Sequence, residues 1–349
     1  MAGPKPTFSI TAGAYRANTE NPIGGPVRLT VRRDMDTPAD GFDLLLSERS
    51  GIAPDDELTL DLGDGDREER VFTGSVVEVR PALDGCRVRA VGRMDAVLRL
   101  HVAAHYERAT AGRIVHDLIS QAGLSAGTID DGPTLAYWVI DRGLSAYTHI
   151  RCLADRLGFE FWTDRQGKVM FRALGAAADL DAGLGGALVG AAAAAIGLGS
   201  DVYSFGRHLV AASGRQRAAG IGSLQVTGES PMSTNGDSTW FWLSASPDDA
   251  QGSAGSGDLA MVRLDPVART KDLADRFAAG YLARNQRHGR RLAITVLGRP
   301  TADLGDTITV DGLADDLGNG AGYVAAVRHR FGAGSGFLTD LQLIAGTAS

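Results

Sequence analysis

His101 and His105 stand four residues apart, the spacing at which two imidazoles on one helix face could share a zinc ion. Val102 occupies the position where a helical zinc protease carries its general-base glutamate, and no third ligand follows nearby, so two ordinary surface or packing histidines are the simpler reading. Asp61, Asp64 and Asp66 suggest a calcium loop, but Gly63 and Gly65 fall where oxygen ligands belong, and a solvated hairpin turn accounts for them. The glycine runs Gly197-Leu198-Gly199, Gly220-Ile221-Gly222 and 318–322 never complete G-x-G-x-x-G, and no P-loop exists. Ser230 lacks the last glycine of a nucleophile elbow, because Met232 stands there. No catalytic, cofactor-binding or metal-ligating set is assigned, and no enzymatic activity is expected.

One dense cationic cluster remains: Arg284, Arg287, His288, Arg290 and Arg291. At the end of a helix such charges stabilise the C-terminal dipole. The alternative to that reading is contact with an acidic partner or a lumen-facing ring, for which Arg284, Arg287, Arg290 and Arg291 are the candidate residues. Cys86 and Cys152 lie far apart in no C-x-x-C pattern, which excludes a cysteine framework and reads as small packing residues in a chain compatible with a reducing cytosol. A net charge of −7 argues against gripping nucleic acid or an anionic membrane as the main task. The N-terminus has no apolar core behind a basic start, so no secretory signal is expected.

The elements that must position these groups are mostly strands. Residues 7–12 and 26–34 alternate, the second with Val27, Leu29 and Val31 on one side and Arg28, Thr30 and Arg32 on the other. Runs at 41–48, 56–62, 69–80 and 87–96 follow, bounded by Gly, Pro or Asp clusters, with Gly63-Asp64-Gly65-Asp66 as a hairpin turn. The 46 glycines, with no collagen period, fit many tight turns, and the block suggests a small barrel or sandwich.

The period then changes. Residues 110–122 carry Ile114, Val115, Leu118 and Ile119 at helical spacing, with Thr110 as N-cap and Gly123 as stop. A second helix at 145–157 presents Ile150, Leu153, Ala154 and Leu157 and ends at Gly158; strands at 159–163 and 168–172 follow around the turn Asp164-Arg165-Gln166-Gly167. Residues 182–199 contain only Gly, Ala, Leu, Val and Ile; without basic flank or aromatic belt they read as a Gly/Ala-rich insertion rather than a membrane span. Strands return at 202–210, 222–228, 239–244 and 259–264, separated by polar loops at 230–237 and 246–258. An amphipathic helix at 267–287 gathers Leu273, Phe277 and Tyr281, and strands at 291–297, 307–310, 323–331 and 338–345 close the chain.

Several of these passages together resemble a known family. "TAGRIVHDLISQAG" at 110–123 and "LSAYTHIRCLADRLGFEFWTDRQGKVMFR" at 144–172 are similar to the helix, then helix, Gly-Phe, strand, turn, strand unit of phage-tail hub and type VI spike proteins. "LGRPTADLGDTITVDG" at 297–312 resembles that family's Gly-x-Pro segment leading into Leu-x-x-Gly-Asp and a strand. "YVAAVRHRFGAGSGFLTDLQL" at 323–343 resembles its closing strand, with His329 as the strand histidine, a structural residue. The likeness runs in order from about residue 26 to 344, to the late control protein D group and the N-terminal part of VgrG spike proteins.

The resemblance implies a mainly β fold with α+β insertions: two related β-barrel domains flanking a small α+β domain. The expected divisions are 1–108, first barrel; 109–175, α+β domain; 176–200, Gly/Ala-rich linker; and 201–349, second barrel with the helix at 267–287. It implies a structural baseplate hub, a homotrimer whose six barrels join an inner tube protein above to a spike protein below, with baseplate wedge proteins around it. VgrG proteins continue into an oligonucleotide-fold domain and needle, so a separate spike is implied. No cofactor, specific nucleic-acid binding or stable membrane insertion is expected, and assembly is expected in the cytoplasm, within a phage-tail-like particle. Two other readings stay open: a tail-associated cell-wall hydrolase, for which no paired carboxylates are evident, and a glycan-binding fibre module, against which the 6% aromatic content counts.

Overall fold

The computed structural model of the chain describes residues 5–64, 67–174, 201–217, 220–229, 250–257, 260–287, 289–314, 317, 319–332, 334 and 336–345. The Gly/Ala-rich run at 182–199, the expected strand at 239–244, Asp66, Ser230, His288 and Gly318 lie outside the described residues.

Alternation builds the first block. β1 (Pro6–Ala12) turns at Gly13, φ +55°, into β2 (Tyr15–Asn18) and pairs on its other side with β5 (Glu57–Asp64). β3 (Pro26–Asp34), β4 (Gly41–Leu46), β7 (Gly85–Gly92) and β6 (Arg67–Ala82) complete the block. Leu29, Val31, Phe42, Leu44, Leu58, Leu60 and Val88 all project from one phase of their strands into a shared core. The β5–β6 hairpin needs glycine at 63, where a Cβ would sit 2.0 Å from the Arg67 carbonyl oxygen. The expected strand at 87–96 stops at Gly92, whose N–H donates to the Asp40 carbonyl at 2.8 Å as the chain turns into α1 (Asp95–Arg99).

The mixed unit continues with β8 (Ala104–Thr110), α2 (Ala111–Gln121), β9 (Ala126–Ile129), β10 (Thr134–Ile140), α3 (Ala146–Leu157), β11 (Glu160–Thr163) and β12 (Val169–Arg172). The expected cap operates, Thr110 Oγ1 accepting from the Arg113 N–H at 3.2 Å, and α3 has one of the same kind, Ser145 Oγ accepting from the Thr148 N–H at 3.3 Å. Gly158 ends α3 at φ +69°.

After residue 200, β13 (Asp201–Ser204) and β14 (Leu209–Gln216) replace the single strand expected at 202–210. Gly206, φ +79°, supplies the turn between them, and His208 Nδ1 accepts from the Ser204 N–H at 3.0 Å. β15 (Ser223–Thr227), β16 (Gln251–Gly255) and β17 (Ala260–Leu264) form a separate three-stranded sheet, so part of the expected loop at 246–258 is a strand. Next come α4 (Lys271–Gln286), β18 (Arg290–Leu297), β19 (Thr307–Asp311), β20 (Gly320–Gly332) and β21 (Gly336–Ala345).

The fold is mainly β, as expected, and the two β blocks are hydrogen-bonded to each other. β20 pairs antiparallel with β3 from Ala326↔Asp34 to Gly332↔Arg28, joining both blocks into one thirteen-stranded sheet ordered β14-β18-β21-β20-β3-β4-β7-β6-β5-β1-β2, with β19 on β20 and β13 on β19. The cores also divide the chain differently from the expected boundary at 201. α4, Leu224 and Val226 belong to the core of α2, α3, β11 and β12, whereas the second β core holds Met35, Trp162, Tyr203 and side chains of β18 to β21. The α+β unit is therefore built from two stretches of chain, brought together where α4 packs on α3.

That packing is unusually close at one point. A Cβ on Gly280, in the middle of α4, would lie 2.2 Å from the Arg156 carbonyl oxygen of α3. An exposed helical glycine gains stability on replacement by alanine; here the sign reverses. Gly280→Ala is expected to lower the free energy of unfolding by about 1–3 kcal/mol through overpacking, measured by urea titration.

Candidate functional site

The three cores meet at the connection between β3 and β4. Arg33 falls in phase with Leu29 and Val31, so strand alternation sends a guanidinium inward, where it is 1% exposed. Its Nε donates to Asp40 at 3.0 Å, its Nη1 to Asp303 of the β18–β19 connection, and its Nη2 to the Thr163 carbonyl of β11 at 2.6 Å. One side chain thus binds the first block, the second block and the α+β unit. Burial alone would depress its pKa, but Asp303 and Asp40 outweigh it and keep the cation charged.

A second knot lies at the other side of the same connection. Asp36 accepts from Arg287 Nη1 at 3.0 Å and from Arg291 Nη2 at 2.7 Å. Glu160 of β11 lies 3.0 Å from both Arg284 Nη1 and Arg287 Nη1 and accepts from the Tyr323 hydroxyl at 3.3 Å. Arg284 Nε also reaches Asp155 at 3.1 Å. Burial pushes Asp36 up, yet Arg287 and Arg291 overcome it and hold the carboxyl below its ordinary value; complete burial pushes Glu160 up while Arg287 pulls against it. Three of the four candidate partner-contact arginines, Arg284, Arg287 and Arg291, are therefore turned inward onto carboxylates of their own chain at the α4 terminus; the fourth, Arg290, is exposed.

The other singled-out residues separate. His101 Nδ1 lies 3.1 Å from the Arg142 carbonyl oxygen outside any helix, and His105 is on β8 against Tyr137, so the two share no helix face. Asp61 is bound by Arg70 Nε at 2.6 Å. Cys86 is buried in the first core, and Cys152 packs against the core of the α+β unit. Among the described residues no group of three or more His, Cys, Asp or Glu side chains is gathered as a metal site, and no helix is long and apolar enough to cross a membrane. His329 is fully buried, its Nδ1 3.0 Å from Thr339 Oγ1.

What the spacing had marked only as polar phases becomes a surface. Across the seam between the blocks, Arg28 and Arg32 on β3, Arg87 on β7, and Arg328 and Arg330 on β20 line a depression of about 380 Å³ on the outer face of the sheet, with Asp43 among them. Asp43 accepts from Arg32 at 2.7 Å and Arg87 at 2.8 Å, and Asp340 binds Arg330 through two bonds at 2.9 and 2.8 Å. The arginines outnumber these carboxylates in a chain whose net charge is −7, so the face is locally cationic and suits contact with an acidic surface. It holds no group poised for acid, base or nucleophilic work.

No protein-family model matches the sequence, and comparison with curated proteins gives no match. Solved structures do share the fold. The 43 kDa tail protein of prophage MuSo2 from Shewanella oneidensis matches at 14% identity and a TM-score of 0.65, over 97% of this chain and 97% of that one. A tail protein from Neisseria meningitidis MC58 matches at 14% identity and 0.68, over 97% and 96%. A component of the Escherichia coli type VI secretion system matches at 11% identity and 0.55, over 97% and 77%. The chain thus has the fold of phage tail proteins, a fold also present in type VI secretion.

Two outcomes test the junction. Arg33→Met removes the cation shared by Asp40 and Asp303 and is expected to cost about 3–5 kcal/mol of unfolding free energy, whereas Arg290→Ala should change it by less than about 0.5 kcal/mol, both by urea titration. Burial, with Arg33 and Arg165 adding to it, lowers the His329 pKa from 6.5 to about 3. The unfolded chain then takes up a proton that the folded chain refuses, so this contribution to stability is whole above pH 6.5 and is lost as pH falls toward 3. His329→Gln should flatten the fall in melting temperature between pH 6.5 and 4.5; parallel curves for the two proteins would refute a buried neutral imidazole.

Proposed function

We propose that this chain is a structural baseplate hub of a contractile tail or injection machine, forming a trimeric ring that joins an inner tube to a central spike. The observation that carries the reading is end-to-end agreement of fold with the Shewanella oneidensis prophage tail protein, 97% of each chain. It is supported by a fold also found in a Francisella complex of PdpA with VgrG, at a TM-score of 0.55 over 99% of this chain.

The two β blocks and the cationic sheet face suit such a part. Each block is one repeat of a barrel-like unit, so three chains present six; the α+β unit braces them from outside. The proposed partners are two further copies of the chain, an inner tube protein, a spike protein and baseplate wedge proteins. The chain does no chemistry of its own, and works as a component of a phage-tail-like particle assembled in the cytoplasm.

The test is mass in solution, alone and with a candidate spike. A species of three times the 36.5 kDa subunit mass is expected, and a chain that stays monomeric at every concentration and with the spike present would overturn the reading. Arg290→Glu should reduce particle assembly while the subunit remains folded. Arg287→Glu should instead unfold the subunit, because Asp36 and Glu160 lose their shared cation.

A further inference from the structure

A cavity of about 480 Å³ lies where the β13–β14 turn meets the end of β18 and the start of β21. Two glycines shape it. Gly206, φ +79°, reverses the chain so that His208 comes back onto Tyr203, the ring centroids 6.1 Å apart and the planes at 82°. Gly298 makes room for Phe337, since a Cβ there would sit 2.1 Å from the Phe337 Cδ1 atom. Val296, Leu297, Phe337 and Leu338 line the hollow together with Tyr203. Tyr203 and Phe337 are buried, whereas Leu297 is 56% exposed, so the hollow opens to solvent.

The charged side chains around it are of one sign. Arg207 and Arg299 line it beside His208, and no acidic side chain does. The Arg299 guanidinium lies 5.8 Å from the Tyr203 ring centroid, so Arg299 and His208 converge on one ring. His208 Nδ1 accepts from the Ser204 N–H at 3.0 Å, which leaves the ring proton on Nε2 as a donor. Neither arginine has a carboxylate partner among the described residues. The other depressions differ: Asp43 stands among the arginines of the sheet face, and Asp155 in the cleft beside α4.

An apolar hollow with a few convergent donors is the usual form of a binding site, and here the donors fix the charge of the occupant. A carboxylate meets a guanidinium fork through paired hydrogen bonds. Aspartate and glutamate side chains bring that charge without the apolar bulk to displace water from Val296, Leu297 and Phe337. A fatty acid brings the bulk as a long flexible tail, which calls for an enclosed tunnel, and Leu297 stands open. The last residue of a polypeptide carries both on neighbouring carbons when it is Leu or Phe. Apolar surface also continues beyond the hollow at Phe205, 67% exposed in the same β13–β14 turn, where the residues preceding a chain terminus would find cover.

We infer that this cavity is a docking site for the C-terminal residue of a partner polypeptide, its apolar side chain against Val296, Leu297 and Phe337 and its carboxylate on Arg207, Arg299 and His208.

The full-length chain is titrated with N-acetyl-phenylalanine, with the carboxamide of the same compound and with octanoate, and binding is read from the NMR signals of each probe. N-acetyl-phenylalanine should bind with a dissociation constant of roughly 1 mM or tighter, and the carboxamide and octanoate at least about tenfold more weakly. Arg207→Ala with Arg299→Ala should weaken binding of the acid at least about tenfold with an unchanged melting temperature, because both arginines are exposed. Leu297→Asp should weaken it as much, again without unfolding. Equal binding of acid and carboxamide overturns the carboxylate contact. Tighter binding of octanoate overturns the polypeptide terminus as the occupant. Absence of binding by N-acetyl-phenylalanine, or binding preserved in either variant, overturns the cavity as the site.

Discussion

The structure depends on one buried guanidinium. Arg33 is drawn inward by strand alternation and is held by Asp40, Asp303 and the Thr163 carbonyl, one acceptor from each of the three packed bodies. Desolvating a charge costs several kcal/mol, so such a group adds little to net stability even when perfectly paired. Its consequence is geometric. An apolar contact at this point would tolerate sliding, whereas a planar fork with three fixed acceptors permits one relative placement of the β blocks and the α+β unit. The Asp36 knot adds Arg284, Arg287 and Arg291 to the same short connection between β3 and β4. The short stretch from Arg33 to Asp40 thus fixes the orientation of elements drawn from the whole length of the protein.

The β20–β3 ladder does the complementary work. Backbone pairing across the seam removes the inner edges that two independent barrels would expose there. A hub of the kind proposed would benefit from this arrangement. Relative motion of two separately packed domains is the ordinary expectation for an interface of modest size, and here it would require breaking seven consecutive register positions together with the Arg33 cluster.

Much of this was legible in the sequence, and the failures have identifiable causes. Strands with one apolar phase were placed well, as at 26–34, and so were helices with a polar cap and a terminal glycine, as at Thr110 and Gly158. β8 and β16 were missed because Ala104–Thr110 and Gln251–Gly255 offer hardly any apolar side chain for a period to be read from; they pair through backbone. Sequence order carries no information about which core a helix joins, so the packing of α4 with α2 and α3 was not legible, and Gly280, the residue that permits α4 to meet α3, reads in isolation as a mere weakness in a helix. The arginine cluster at 284–291 was legible as charged, but its acceptors were not, because Asp36 and Glu160 stand more than a hundred residues away. The overlooked signal was Arg33 itself, a charge in phase with Leu29 and Val31.

Separating the charges by location explains how an acidic protein can carry a cationic face. Arginines that point inward, at 33, 284, 287 and 291, meet carboxylates within the chain and contribute little to its external field. Those that point outward from β3, β7 and β20 meet chiefly Asp43 and Asp340, so their excess remains exposed along the seam. The same strand alternation produces both sets, because adjacent positions such as Arg32 and Arg33 send equal charges to opposite sides of one sheet. The inner set determines how the chain folds upon itself and the outer set what it can approach. A change of phase by one residue at β3 would exchange them, and would destroy the junction and the surface together.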